Sequence, residues 1–305
     1  MLATIHHTFC PACRSASFKN ILRAKDYTIS GEWFDIIECL DCSLRFTQDV
    51  PAVEERKRYY KSENYISHSN TSRGLINRLY HKVRKRTMVS KRKLIEKSCG
   101  YGYGRLLDVG SGTGYFAGMM RDQGWDVTGL EPDAEARALA YKEYGIELLD
   151  GEKINSLPSK SYDAITLWHV LEHVDDVASY LQLLSSLIRD DGRIFIAVPN
   201  YTSYDAKAYK AYWAAYDVPR HLYHFSPRSL SLLVLRNGLK IEKYKSMWYD
   251  SFYISLLSSK YKCMEIPDGK EKVNWFSALW IALLSNLHAL FNVKKCSSVI
   301  YILRK

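Results

Sequence analysis

From residue 104 onward the apolar positions fall into short strand-like runs separated by helix-like ones. Leu106, Leu107 and Val109 around Asp108 read as a buried strand; Gly110, Gly112 and Gly114 then let the backbone turn before a helix that runs to about Gln123. Asp126 to Leu130 predicts a second strand, Asp133 to Tyr144 a helix ended by Gly145, and Ile146 to Leu149 a short third strand. Four more strands are predicted at Tyr162 to Leu167, Arg193 to Val198, Lys240 to Met247 and Ser297 to Leu303. Helices are predicted over Val177 to Ile188 and after Ser226-Pro227, where a serine caps and a proline starts the helix. Strands alternating with helices in this way predict an α/β domain around one sheet.

Upstream the pattern changes twice. Residues 49–98 carry an imperfect helical stripe of Leu75, Ile76, Leu79, Val83, Met88, Leu94 and Ile95 after a polar turn at Ser67 to Ser72. The stripe runs among Arg78, Lys82, Arg84, Lys85, Arg86, Lys91, Arg92 and Lys93. Between Arg56 and Lys97 fourteen Lys and Arg face only Glu63 and Glu96, so this segment exceeds the net charge of the whole 305-residue chain, +10. The run predicts either a solvated helix face or a surface that attracts an anionic partner such as a sugar nucleotide, a phospholipid-linked glycan or RNA.

Residues 1–48 hold Cys10-Pro-Ala-Cys13 and Cys39-Leu-Asp-Cys42, two C-x-x-C knuckles 25 residues apart. Four thiolates at the heads of two turns suit a tetrahedral zinc ion, and the β-prone pieces between them suit a ribbon whose metal replaces a core that so few residues could hardly build. With all four positions Cys, a structural role is expected. A redox pair and a ribbon without metal are the competing readings. Met1 to His7 lacks a basic start followed by an apolar run, so a reducing cytoplasm is expected and disulfides are not. Cys99, Cys263 and Cys296 are isolated and read as free thiols.

The glycine spacing narrows the ligand. A dinucleotide fingerprint needs Gly or Ala at 115, where Tyr115 stands; the register is instead G-x-G-x-G, with Glu131 at the end of the next strand, where an acid can accept both ribose hydroxyls. Leu-Asp-Val-Gly-Ser-Gly-Thr-Gly at 107–114 resembles the first motif of the class I S-adenosylmethionine-dependent methyltransferases. The resemblance implies a Rossmann-like, seven-stranded domain over residues 99–305, carrying a hydrophobic insertion at about 250–296 and preceded by the small zinc ribbon. It also implies S-adenosylmethionine as cofactor, with Asp108, Gly110, Gly112 and Gly114 shaping the methionine end, Glu131 and Pro132 beside the ribose, Glu152 near the adenine, and His169 at the cofactor's edge. Zinc-ribbon methyltransferases of this kind are associated with bacterial surface-polysaccharide or secondary metabolism.

The fourth strand ends in His169-Val-Leu-Glu172-His173. This fits H-x-x-E-H, a zinc-peptidase pattern, but it follows a buried strand rather than lying along a helix. Class I methyltransferases commonly carry a Leu-Glu-His segment here, and some quinone O-methyltransferases with a similar segment are thought to hold a divalent metal. A second histidine cluster follows the aromatic stretch Tyr201 to Tyr216, which reads as a lid over an acceptor pocket. Where related sugar C-methyltransferases hold a Glu-His pair, this chain has Arg220-His221, so sugar C-methylation is disfavoured. His169, His173 and His221 are the candidate general bases, because imidazole titrates near neutrality. Asp217 and Tyr223 are candidate positioning residues.

The expected activity is therefore O- or C-methyl transfer to a small-molecule or glycan- or lipid-linked acceptor. RNA methylation and a catalytically silent cofactor-binding module are the alternatives; the strand end lacks the Asn/Asp-Pro-Pro-aromatic signature of base amino methylation. Trp275 to Phe291 is too short and too polar for a comfortable membrane span and predicts either a core or lid helix or an interfacial helix resting on the inner face of a membrane.

Overall fold

The computed structural model describes residues 4–60, 75–265 and 273–305. The polar turn expected at Ser67 to Ser72 lies outside these, as do the side chains of Leu75, Ile76, Arg78, Leu79 and Lys82. The chain opens with β1 (Thr4–Ile5), β2 (Phe18–Lys25), β3 (Trp33–Cys39), β4 (Arg45–Thr47) and β5 (Val50–Pro51), followed by the short α1 (Val53–Arg56) and the long α2 (Leu75–Cys99). The α/β part follows with β6 (Gly104–Val109), α3 (Tyr115–Arg121), β7 (Trp125–Leu130), α4 (Ala134–Tyr144), β8 (Tyr162–Trp168), α5 (Val177–Leu187) and β9 (Ile188–Pro199). Then come α6 (Tyr204–Tyr209), β10 (Tyr223–His224), α7 (Pro227–Arg236), β11 (Lys240–Ser246), α8 (Asp250–Met264), α9 (Trp275–Phe291) and β12 (Ser298–Arg304).

The main sheet has the order β11-β12-β9-β8-β6-β7, parallel from β9 to β7 and antiparallel on both sides of β12. This is the Rossmann-like methyltransferase arrangement expected, with one difference. Among the described residues the predicted third strand contributes a single parallel bridge, Leu130 to Leu149, so the sheet has six strands. Ile146 and Leu148 still point inward, packing against Ala117 and Ala140. The chain moves from β6 outward to β7 and then returns to β8 on the other side, which puts a crevice at the carboxyl ends of β6 and β8, where such sheets bind ligands.

Local signals set the helix ends. Asp133 caps α4 by accepting from the Ala136 N–H, Gly145 closes it in the left-handed region, and Ser226 with Ser229 forms a capping box on α7 with Pro227 in its first turn.

The cysteine-bearing hairpin is fused to the rest. Its sheet has the order β10-β4-β3-β2, so a strand from beyond residue 220 completes it. Cys10, Cys39 and Cys42 share one apolar core with Leu107, Val109 and Leu167 of the main sheet. Tyr201 to Tyr216 is not a loose lid: it forms α6 and two 3-10 turns, and Trp213, Tyr216 and Tyr209 are buried with Phe34 and Ile36 of β3.

Candidate functional site

The glycine turn after β6 is shaped by three left-handed residues, with φ of +70° at Gly110, +54° at Gly112 and +75° at Gly114. Two of them are packed: a Cβ on Gly110 would meet Val170 Cγ2 at 2.5 Å, and one on Gly114 would meet the Ala140 Cβ at 2.6 Å. Nothing lies within 4 Å of a Cβ built on Gly112. The turn is thus braced at its ends and open at its middle, a cradle for a ligand's approach. The N–H groups of Gly110 and Ser111 both donate to the Leu130 carbonyl, at 2.8 and 2.9 Å, which ties the turn to β7. Glu131, at the end of β7, accepts from the Gly112 N–H (2.8 Å) and the Asp133 N–H (3.0 Å), so its carboxylate is fixed beside the cradle.

Asp108 is buried under the turn and accepts from the Thr166 hydroxyl (2.6 Å); burial raises its carboxyl to about 6. Above it, α2 supplies a wall. Met88, Leu94 and Ile95 pack on the sheet, and Lys91, on the same face, is buried with its ammonium 4.2 Å from the centre of the Trp168 ring. Burial pushes Lys91 down to about 8, while Asp250 and Asp108 oppose the loss of its charge. The Trp168 indole N–H is buried without a partner among the described residues, and Arg84 stacks over Tyr115 at 4.7 Å. The open middle of the turn, the fixed carboxylate at the next strand end and the unpartnered indole donor fit a nucleoside cofactor bearing a charged amino-acid tail.

The carboxyl end of β8 turns at His169, a non-glycine in the left-handed region at φ +59°. Its Nε2 lies 2.9 Å from Asp250 Oδ2 and its Nδ1 3.3 Å from Glu172 Oε1. Burial alone would favour the neutral ring, but hydrogen bonds to both carboxylates outweigh it and hold His169 at about 10. An imidazolium has no lone pair, so the expected role of His169 as a base gives way to that of a fixed cation. His173 is the opposite case: burial, with repulsion from His221, pushes it down to about 4. Its Nδ1 lies 3.0 Å from the Arg220 carbonyl, which only accepts, so Nδ1 holds the proton and Nε2 the lone pair. His221 Nδ1 likewise donates to a carbonyl, that of Ala215 (2.9 Å), and its Nε2 lies 3.9 Å from Asp217 Oδ2. The two rings meet edge to face at 4.6 Å. Ligand atoms of Glu172, His173 and His221 all lie within 4.8 Å of one another, and Glu172 Oε2 is buried with no partner among the described residues. This is an acceptor-rich recess, suited to taking a hydroxyl proton or a cation.

The other expected residues lie at the rim of the cradle or are held in structural contacts. Glu152 is exposed on a 3-10 turn and Pro132 is exposed at the mouth of the cradle. Asp217 is engaged by Arg220, whose buried guanidinium also donates to Asp26 (3.0 Å) and the Tyr59 carbonyl (3.0 Å), joining the hairpin to the site loop. The Tyr223 hydroxyl donates to the Asp175 carbonyl. Both are occupied structurally. Lys91 stands in the sequence as one of the basic run, although its spacing three residues after Met88 and four before Ile95 sets it on the buried stripe; Asp250 carries no such signal, because it meets His169 across 81 residues of chain.

In the hairpin, the sulfur atoms of Cys10, Cys13, Cys39 and Cys42 lie within 4.8 Å of one another, with Cys10 to Cys42 at 3.5 Å and Cys13 to Cys39 at 3.4 Å. These are far beyond a disulfide bond and close to the edge of about 3.8 Å that Zn–S bonds near 2.3 Å require of a tetrahedron. Arg14 and Ser43, each the residue after a knuckle, donate their N–H to the carbonyls of Cys10 and Cys39 from the left-handed region. The donor set fits a closed structural zinc site.

A family model described as a methyltransferase domain matches residues 72–244. A ubiquinone biosynthesis O-methyltransferase of Aeromonas salmonicida is 37% identical over 115 residues, 35% of this chain and 48% of that protein. One from Xanthomonas axonopodis pv. citri is 26% identical over 164 residues, 48% of this chain and 66% of that protein. The chain thus spans about half to two-thirds of the length of these curated relatives. A solved structure from Galdieria sulphuraria, provisionally named a sarcosine dimethylglycine methyltransferase, shares the fold with a TM-score of 0.51 at 14% identity, over 75% of this chain and 88% of its own. With more than half of its residues inside that family model and the sheet, glycine turn and strand-end acid in the places described, the chain belongs to the class I S-adenosylmethionine-dependent methyltransferases.

Proposed function

We propose that the protein transfers the methyl group of S-adenosylmethionine to an oxygen of a small-molecule acceptor, with glycan- or lipid-linked acceptors in the same range. The observation that carries this reading is the recess of Glu172, His173 and His221 at the carboxyl edge of the sheet, next to the glycine cradle. When bound, S-adenosylmethionine supplies an electrophilic methyl group on a sulfonium. The chain then has two tasks: to align an acceptor oxygen with that methyl and to remove its proton. In this reading Gly112 and Glu131 hold the nucleoside, while Lys91 and Asp108 receive the carboxylate and ammonium of the methionine tail. His221 takes the acceptor's proton on Nε2, 3.9 Å from the Asp217 carboxylate that steadies the resulting charge, while His173, held neutral, presents its Nε2 lone pair to the acceptor hydroxyl. His169, fixed between Asp250 and Glu172, positions the strand end and is not the base. Zinc on Cys10, Cys13, Cys39 and Cys42 holds the hairpin against the His221 loop. Oxygen as the receiving atom is supported by the similarity to ubiquinone biosynthesis O-methyltransferases. Peripheral contact with a membrane is part of the proposal and is supported by the outward face of α9.

RNA as acceptor has weaker support, because Met88, Lys91, Leu94 and Ile95 of the basic helix face the sheet. The test is to incubate the zinc-loaded protein with methyl-labelled S-adenosylmethionine and fractionated lysate. Label is expected in a small-molecule or lipid fraction, and His173→Ala or His221→Ala is expected to lower transfer by about 10²-fold or more while cofactor binding persists. Label in RNA alone, or cofactor binding with no transfer to any fraction, would overturn the reading.

A further inference from the structure

Helix α9 is inside out. Its buried positions are Ala278, Ala282, Ser285 and Ala289, small side chains that let it lie close against α8 and α6. Its large apolar side chains point the other way: Trp275, Phe276, Trp280, Leu283, Leu287 and Phe291 are exposed, Phe276 by 80% and Phe291 by 87%. A helix that faces water turns its charged side outward. The seventeen residues of α9 contain no Lys, Arg, Asp or Glu at all.

The apolar surface continues off the helix. Asn286 Nδ2 donates to the Trp248 carbonyl (2.9 Å), which holds α9 against the exposed side chains of Trp248, Tyr249 and Tyr253. Tyr249 precedes Asp250, the partner of His169, so the patch reaches the rim of the site.

Charge says what covers it. From Val273 to Lys305 the sequence has no acidic residue, and Lys294 and Lys295 stand exposed just past the carboxyl end of α9. At about 1.5 Å per residue the helix is about 25 Å long, and among the described residues no helix is long and apolar enough to cross a membrane. Outward tryptophans, phenylalanines and leucines without a charge among them, flanked by lysines, match a helix lying in a lipid–water interface. We propose that α9 docks flat on the surface of an anionic bilayer and turns the rim at Trp248 and Tyr249 toward the lipid. That a lipid-borne acceptor enters by this rim rests on the function proposed above.

The test is flotation of the full-length, zinc-loaded protein with vesicles of phosphatidylcholine alone or mixed with phosphatidylglycerol. Co-flotation is expected with the anionic vesicles and is expected to weaken as salt rises. The triple variant Trp280→Ser, Leu283→Ser, Leu287→Ser changes only outward side chains; it should lose vesicle binding by at least about tenfold while keeping its circular dichroism and its heat of binding S-adenosylhomocysteine. Absence of wild-type flotation with either vesicle, or equal flotation of the variant, would overturn the docking. So would a concentration-dependent dimer that the variant abolishes, without flotation. Cofactor binding and labelled transfer measured without vesicles test the methyl-transfer reading separately.

Discussion

The Thr47 hydroxyl donates to the backbone carbonyl of His221 at 2.8 Å, joining the last strand of the cysteine hairpin to a candidate base. The same hydroxyl lies 3.1 Å from His224 Nε2, and the Thr47 N–H donates to the Leu222 carbonyl. Leu222 in turn donates its N–H to the Glu172 carbonyl (2.8 Å). The hairpin therefore braces both sides of the recess. Thr47→Val keeps the shape and removes the hydroxyl, so it should lower stability by about 2 kcal/mol. It should also reduce methyl transfer more than cofactor affinity. Urea unfolding, calorimetry and single-turnover transfer on one preparation check this, as does Cys10→Ser, which is expected to give the same pattern more strongly.

His169 titrates in the opposite sense from an ordinary buried histidine. Its folded value, about 10, lies above the ordinary 6.5, so its stabilising contribution is complete below pH 6.5 and lost as the pH climbs through 10. Asp250→Asn removes one of its two carboxylate partners. Because the His169 side chain is a third exposed, water screens the pair, and the expected loss at pH 7 is only about 1–2 kcal/mol. Unfolding midpoints at pH 6, 8 and 10 should fall less steeply for the variant than for the wild type.

Asp108 predicts proton release on cofactor binding. Its folded value is raised to about 6, so between the ordinary value of 3.8 and pH 6 the folded chain holds a proton that the unfolded chain gives up, and stability falls as pH rises through that window. A sulfonium and an ammonium placed nearby favour the ionised carboxylate. Calorimetry of S-adenosylhomocysteine and S-adenosylmethionine near pH 6, in buffers of differing ionisation heat, should detect proton release with both ligands, larger with the sulfonium form, and absent in Asp108→Asn. The same substitution should raise the stability of the ligand-free protein at pH 7.5 by about 2 kcal/mol.

The glycines should separate by what they touch. Gly112→Ala meets no atom within 4 Å and bears only the left-handed strain, about 1–2 kcal/mol, so it should fold and lose cofactor affinity by about tenfold or more. Gly110→Ala drives a methyl into Val170, two residues before Glu172, and should disturb the fold and the recess together. Thermal unfolding beside cofactor titration distinguishes the two.

Much of this was legible because local rules and global fold agree in the α/β part. The strand, the glycine turn and Glu131 lie within one short stretch, and the capping signals at Asp133, Gly145 and Ser226 acted where they stood. The third strand differs from expectation because inward Ile146 and Leu148 satisfy the apolar pattern by packing on α3 and α4, with or without a ladder of hydrogen bonds. The aromatic stretch 201–216 predicts a lid by composition, which does not say which partner covers a ring; Trp213 finds a buried hydrogen bond to Asp205. The charge state of His169 depended on Asp250, which no spacing rule links to it. The basic run predicts a solvated face or an anion-attracting surface, and charge alone does not separate Lys91, buried against Trp168, from its exposed neighbours.

The Gly110 to Gly114 turn, with Glu131 one strand away, is the proposed seat of S-adenosylmethionine. Isothermal calorimetry of S-adenosylhomocysteine with the folded, zinc-loaded protein tests it most directly. One site per chain is predicted, weakened about tenfold to a hundredfold by Glu131→Ala, the value of one or two charge-assisted hydrogen bonds. No heat from an intact wild-type protein, or an affinity untouched by Glu131→Ala, would contradict it.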